Sequence, residues 1–489
     1  MLREASTAAF VLAGGLALSA CASSPSAQDS DSAEASPSAA PERSSEDSSG
    51  GKRTGSRIPE LEELEFRDEP PSARKTGEAE GVTAYRVGKL KILHKPTPAN
   101  QVVSAKLYID GGTANLTENT AGIERLALRL STKGGTESTP KDEFTSQLDS
   151  MGSSIGMFTG RDYSGYSLRC ITKHFDASWE LFVESMLEPA MPKGELEVQR
   201  DKQLAQIEEI RQNPNRYVQD IARGLLAESH PYRFRQIGTK SNVESFTREQ
   251  LLAYQRSLMN PARMLLVVVG DLPTGDVVEK ARSSLGRLAP DEWNSPSLPN
   301  FRVKGVAMEG REKQIPTNYI YGKFPAPSPT HEDYPAMQVA LSYLSDQLFE
   351  EVRTERNLSY AVASGIASRR ANSGYLYVSA KKPNETLGVM FDTVSDLKEK
   401  RLSEEQVQRT RNVYLTEHFM DLETNSSQAS DLASAELVRG DWRKHATFLD
   451  EIRSVSPKDI QRVAQTYLED YQFAVVGSPE SVDRSVIPE

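Results

Sequence analysis

Arg125 and Arg129 stand four apart in the stretch AGIERLALRLSTKGGT (121–136), with Leu128 immediately before the second. On a helix, residues four apart share a face, and this three-position arrangement is the spacing by which an HxxEH helix holds zinc beside a general base. The residue types reverse that chemistry. Zinc needs a lone pair from a neutral imidazole or an anion, whereas a guanidinium carries only donors and a permanent positive charge. The six histidines, His94, His174, His230, His331, His418 and His445, offer no replacement, because no two lie three to five apart. His418 has Glu417 beside it, yet Tyr414 occupies the position four before it. The sequence therefore assigns this chain no metal.

The helix that carries the two arginines has Ile123, Leu126, Ala127 and Leu130 at i, i+3, i+4 and i+7, a separate apolar face, and runs into a glycine turn. Upstream, YRVGKLKILHK reads as a hairpin, and VVSAKLYIDGG alternates Val103, Ala105, Leu107 and Ile109 before a turn. Downstream, Thr139 is expected to cap a helix with Pro140 at its first position, Phe144, Leu148 and Met151 on one face and Gly152 after its end. There follow a strand (YSLRCIT), a helix around WELFVESML and a long helix from Lys193. A helix capped by Thr247 with Gln250 three later and the strand MLLVVVG complete the set.

The chain then repeats itself. VQR occurs at 198–200 and 407–409, SGY at 164–166 and 373–375, and the helix starts SFTREQL and SVSPKDI begin at 245 and 454. All three pairs are offset by 209 residues (407 − 198, 373 − 164, 454 − 245), which predicts two copies of one domain. The second copy has YLYVSA, a helix around TLGVMFDTVSDL, a long helix from Ser403, a helix capped by Ser456 with Pro457, and FAVVG. The predicted class is α+β made twice, with domains at 82–295 and 300–482.

At 489 residues the chain has room for two or three domains, and a net charge of −11 with only short Lys/Arg clusters argues against a nucleic-acid partner. Residues 1–21 form a targeting segment: Arg3, an apolar run from Ala8 to Ala20 too short to span a bilayer, and the ending LSAC. That ending resembles the lipobox of bacterial lipoproteins, so Cys21 is expected to be lipidated and the chain anchored at the cell envelope. The neutral Ala22 and Ser23 that follow point to the outer membrane, facing the periplasm. Residues 22–81 are expected to be a disordered low-complexity tether. Cys170, the one other cysteine, lies in an apolar run and reads as core, which leaves no disulfide in the mature domains.

Three segments together resemble the insulinase-like (pitrilysin-type) metallopeptidases, the family that includes the mitochondrial processing peptidases. They are LYIDGGTANLTENTAGIERLALRLSTKGGT, HPYRFRQIGTKSNVESFTREQLLAYQRSLMNPARMLLVVVGDL and LFEEVRTERNLSYAV, in family order over about residues 82–478. The resemblance implies tandem α/β-roll domains closing like a clam shell around an extended peptide. Laid over the family's HFLEH, RLALR puts Arg125 and Arg129 at the zinc histidines and Leu128 at the general base. The third ligand, a glutamate, falls on Gln206 when Gln199 and Arg200 are taken as the family's ER pair. Losing all three ligands forfeits most of a site whose binding is worth about 10–16 kcal/mol in structural zinc cases. No cofactor is therefore expected on this chain.

The second-domain motif is retained: in RTERNLSY, Arg353 and Tyr360 keep the spacing at which the family places an arginine and a tyrosine that hold substrate and support the tetrahedral intermediate. Asn357 replaces the usual glycine and is the next most tolerant residue for positive φ. The implied function is a non-catalytic, substrate-handling subunit beside a partner that carries HxxEH and its zinc. The alternative is a structural or peptide-binding protein without proteolysis, and a self-sufficient metallopeptidase ranks last.

Overall fold

The computed structural model describes residues 58–488; Cys21 and the lipobox expected around it lie outside them. In the first half the elements are β1 (Ala73–Ala79), β2 (Val82–Val87), β3 (Leu90–Pro96), β4 (Val102–Asp110), α1 (Ile123–Lys133), α2 (Lys141–Ser150), β5 (Ser154–Thr159), β6 (Tyr163–Ile171) and α3 (Phe175–Leu187). They continue with α4 (Lys193–Gln212), α5 (Pro214–Leu226), α6 (Lys240–Ser245), α7 (Arg248–Leu258), β7 (Met264–Gly270) and α8 (Thr274–Ser283). The sheet order is β1-β2-β3-β7-β4-β6-β5, antiparallel except for β3 against β7.

The second half runs β8 (Ala307–Glu312), β9 (Asn318–Pro325), α9 (Tyr334–Leu348), β10 (Val362–Ile366), β11 (Ser373–Ala380), α10 (Pro383–Glu399), α11 (Glu404–Asp421), α12 (Asn425–Leu437), α13 (Lys444–Ser454), α14 (Pro457–Tyr467) and β12 (Gln472–Gly477). Its order, β8-β12-β9-β11-β10, repeats β3-β7-β4-β6-β5, with the parallel pair in the same place. The molecule is an α+β protein of two like-built sheets.

Each sheet buries one face under helices of its own half. Val103, Ala105, Leu107 and Ile109 join Leu126, Leu130, Phe182 and Leu251 in one core, and Ile320, Leu376 and Phe473 join Leu344, Leu387 and Val463 in the other. The opposite faces are covered by exchange. Ala429, Leu432 and Ala433 of α12 and the nearby Trp442 pack on Tyr108, Leu265, Val267 and Val269 of the first sheet. Reciprocally, Val218, Ile221 and Ala222 of α5 pack on Tyr321, Ala474 and Val476 of the second. Cover on both faces explains why MLLVVVG and FAVVG are unbroken apolar runs with every residue buried.

Two sequence expectations are corrected. The tether assigned to residues 22–81 ends earlier: β1 pairs antiparallel with β2, Phe66 bridges Leu288, and Ile58 and Leu64 pack on the first core. β1 is polar and mostly exposed, so backbone pairing holds it and no hydrophobic alternation announces it. Thr139 is also not the cap of α2; Pro140 holds that position without a side-chain bond, while the Thr139 amide donates to Thr136 Oγ1 at 2.9 Å. The caps at Thr247 and Ser456 are present as capping boxes, and Cys170 is buried, which pushes its thiol up to about 11.

The exchange predicts long-range coupling. Leu432→Ala should cost about 2–5 kcal/mol and speed amide exchange in β4 and β7. Denaturant titration with hydrogen-exchange mass spectrometry checks this, and a loss of stability with unchanged exchange in those strands would contradict it.

Candidate functional site

Helix α1 is fixed from its first turn. Its N-cap, Gly122, has φ +96° and lies so close to the chain at Gly238 that a Cβ there would meet Gly238 Cα at 2.8 Å. Gln203 Nε2 of α4 donates to the carbonyls of Gly122, at 3.1 Å, and Ile237, at 3.0 Å. Glu124, buried in the first turn, accepts from Tyr254 Oη at 2.8 Å and from Ser164 Oγ. These contacts lock the helix on its sheet and set the direction of its remaining face.

That face meets α4. Arg125 Nη2 and Arg129 Nη1 both donate to Gln206 Oε1, at 3.2 and 3.4 Å, and Arg125 Nη1 reaches Thr159 Oγ1 at 3.5 Å. One amide oxygen thus bridges two guanidiniums. Burial, and for Arg125 also the charge of Arg129, pushes both arginines below their ordinary range. Leu128 does not join them: it is fully buried in the first core. The donor set at Arg125, Arg129 and Gln206 does not fit zinc, since it presents two cations and one amide oxygen that both cations already occupy. Among the described residues, no group of three or more His, Cys, Asp or Glu side chains is placed to hold a metal ion.

Arg125 and Gln206 form one edge of a cavity of about 730 Å³ between the halves. The first half contributes Arg161 from the β5–β6 turn and Arg216, Asp220 and Arg223 from α5; the second contributes Tyr321 and Lys323 of β9, Arg369, and Tyr375 of β11. Lys323 Nζ donates to Ser373 Oγ at 3.2 Å. Burial, then the charges of Arg161, Arg369 and Arg223, lower it to about 7. Arg161 donates to the Tyr232 carbonyl at 2.8 Å and is itself pushed down by burial and by Arg369 and Arg223.

Arg353 and Tyr360 lie elsewhere. Arg353 sits on a π-helical turn, Phe349–Glu355, that extends α9; such turns recur at functional sites. Its guanidinium is sandwiched between the rings of Phe349, at 4.6 Å, and Tyr360, at 4.2 Å. Tyr360 is 74% exposed and neither residue of the pair lines the cavity. Asn357 adopts φ +49°, the left-handed turn between them.

Arg161, Lys323 and Arg369 were not named from the sequence. They come from three separate turns and strands, and no spacing joins them. The adjacent Arg369 and Arg370 were the one visible signal, and Arg370 is spent on Asp162 at 3.1 Å and Asp110 at 3.4 Å.

Residues 91–230 match the family model for insulinase (peptidase family M16), and residues 245–414 match that for the peptidase M16 inactive domain. An uncharacterized zinc protease of Bacillus subtilis is 20% identical over 79% of this chain and 96% of its own. A crystal structure of a peptidase M16 inactive domain from Pseudomonas fluorescens superposes with a TM-score of 0.72 at 16% identity, covering 83% of this chain and 98% of its own. A protease from Helicobacter pylori gives 0.71 at 18%, covering 83% and 100%. The chain belongs to the insulinase-like peptidase family, M16.

Lys323 supplies a prediction with a definite sign. Unfolded lysine keeps its proton to the usual 10.5, whereas the folded group loses it near 7. Between those values the unfolded chain binds more protons, so this residue makes stability rise with pH, and its cost is full below 7. Lys323→Met should flatten that slope and raise the urea midpoint most at about pH 6, measured from about pH 6 to about pH 10. An unchanged slope would contradict the charge crowding.

Proposed function

We propose that this chain is a non-catalytic, substrate-handling subunit of a heteromeric insulinase-family metallopeptidase at the bacterial cell envelope. The partner carries HxxEH and holds the zinc, which would supply the activated water. The observation that carries the reading is the Arg125–Gln206–Arg129 contact: the three side chains that the resemblance lays over the family's ligands meet, and one amide oxygen accepts from both guanidiniums. Restoring a metal there would require replacing all three. The similarity to a structure described as an inactive domain of this family supports the same reading.

On this proposal, Arg353 and Tyr360 act in the partner's site. Stacking leaves guanidinium N–H groups and the exposed tyrosine hydroxyl available to a peptide carbonyl or the developing oxyanion. The anchor is a lipid on Cys21, placing the chain at the outer membrane facing the periplasm. Among the described residues, no helix is long and apolar enough to cross a membrane. A second reading, a peptide-binding protein without a peptidase partner, is favoured by the interlobe cavity, which this chain builds alone.

Combining the purified chain with the HxxEH-bearing chain encoded nearest to it should produce peptide hydrolysis well above that of either alone. Arg353→Ala and Tyr360→Phe should each lower kcat about 10²-fold while leaving co-elution intact. Unchanged turnover in both variants would remove the assigned role. Failure of every HxxEH chain to bind would favour the second reading.

A further inference from the structure

Six cationic side chains and two carboxylates line the interlobe cavity, in a chain whose formal charge is −11. Both carboxylates are engaged: Glu209 by Arg216 at 2.8 Å, and Asp220 by Arg223 at 2.6 Å and by Arg235. Asp162, behind the cavity wall, accepts from Tyr232 Oη and from Arg370. Arg125, Arg161, Lys323 and Arg369 are left facing one space without a carboxylate partner. Their own contacts are neutral: Gln206 and Thr159 for Arg125, a carbonyl for Arg161 and a hydroxyl for Lys323. Arg369 makes no ion pair or side-chain hydrogen bond among the described residues.

Like charges gathered in a half-enclosed space repel one another and focus a positive potential into the cleft. An anion entering there is paired by groups already in place and relieves that repulsion. The space is larger than a small inorganic ion requires and lies in the range of organic ligand sites. Its walls also carry apolar surface: Tyr321 and Tyr375 stack with centroids 5.3 Å apart, and Leu226 and Ile366 lie nearby. Aromatic and aliphatic walls around a cationic floor suit a peptide bearing carboxylates.

We propose that the interlobe cavity binds an acidic peptide, with carboxylates among Arg161, Lys323 and Arg369 and apolar groups against Tyr321 and Tyr375. The inference rests on reading the interlobe space as peptide-holding, but it requires no partner. Its test therefore reads binding to this chain alone, and its failure leaves partner-dependent hydrolysis standing.

Calorimetric titration of the full chain would compare a synthetic peptide with glutamates around a Leu-Tyr core, its lysine counterpart, its C-terminally amidated form and inorganic phosphate. The glutamate peptide should bind, more weakly as salt rises, and the lysine peptide should not. Retained binding of the amidated form supports seating of side-chain carboxylates, and lost binding supports seating of the terminal carboxylate. Arg369→Gln and Lys323→Gln should each weaken binding about tenfold to hundredfold. Their thermal midpoints should stay equal or rise, which a structural role for these charges would not give. Equal binding of the lysine peptide, displacement by phosphate at the peptide's own concentration, or unchanged affinity in both variants would overturn the proposal.

Discussion

The interaction on which the rest of this molecule depends is the exchange of one helix between its halves. A sheet with one bare apolar face must find cover. Here α5 leaves the first half to cover the second sheet, and α12 returns to cover the first. The exchange makes each half incomplete alone. Lys106 of β4 and Lys323 of β9 occupy matching strands in the two halves. The first is held by Ser430 of α12 at 2.7 Å and the second opens into the cavity beside α5.

The chemistry of that space follows from what packing leaves uncovered. The buried face of α1 is set by Ile123, Leu126, Leu130 and the hydrogen-bonded Glu124, so Arg125 and Arg129 have one direction in which to point. There they meet Gln206, a side chain that can accept from both without adding charge. A carboxylate in its place would offset one of the two charges, whereas the amide offsets neither. Arg161, Lys323 and Arg369 extend the same sign across to the second half. The resulting interior carries the sign opposite to that of the whole chain, which is the basis of the anionic ligand proposed for it.

The α+β class and the doubled plan were legible because they rest on local signals: turn glycines, capping boxes, apolar runs and a repeat offset of 209 residues. The contact of Gln206 with Arg125 and Arg129 spans two helices, and only the family resemblance pointed to it in advance. Helix exchange was not legible, since nothing local in α5 or α12 states which sheet it covers. β1 escaped because a polar edge strand is held by backbone bonds. The cationic floor escaped because its members lie far apart in the chain and carry no motif.

The central claim is that fixed positive charge and an amide have replaced the metal-binding chemistry of this family. The most direct measurement is the zinc content of the purified chain, taken with its peptide hydrolysis in added zinc and in chelator. The account predicts substoichiometric zinc and no chelator-sensitive turnover. One tightly held zinc per chain, with hydrolysis abolished by chelation, would contradict it.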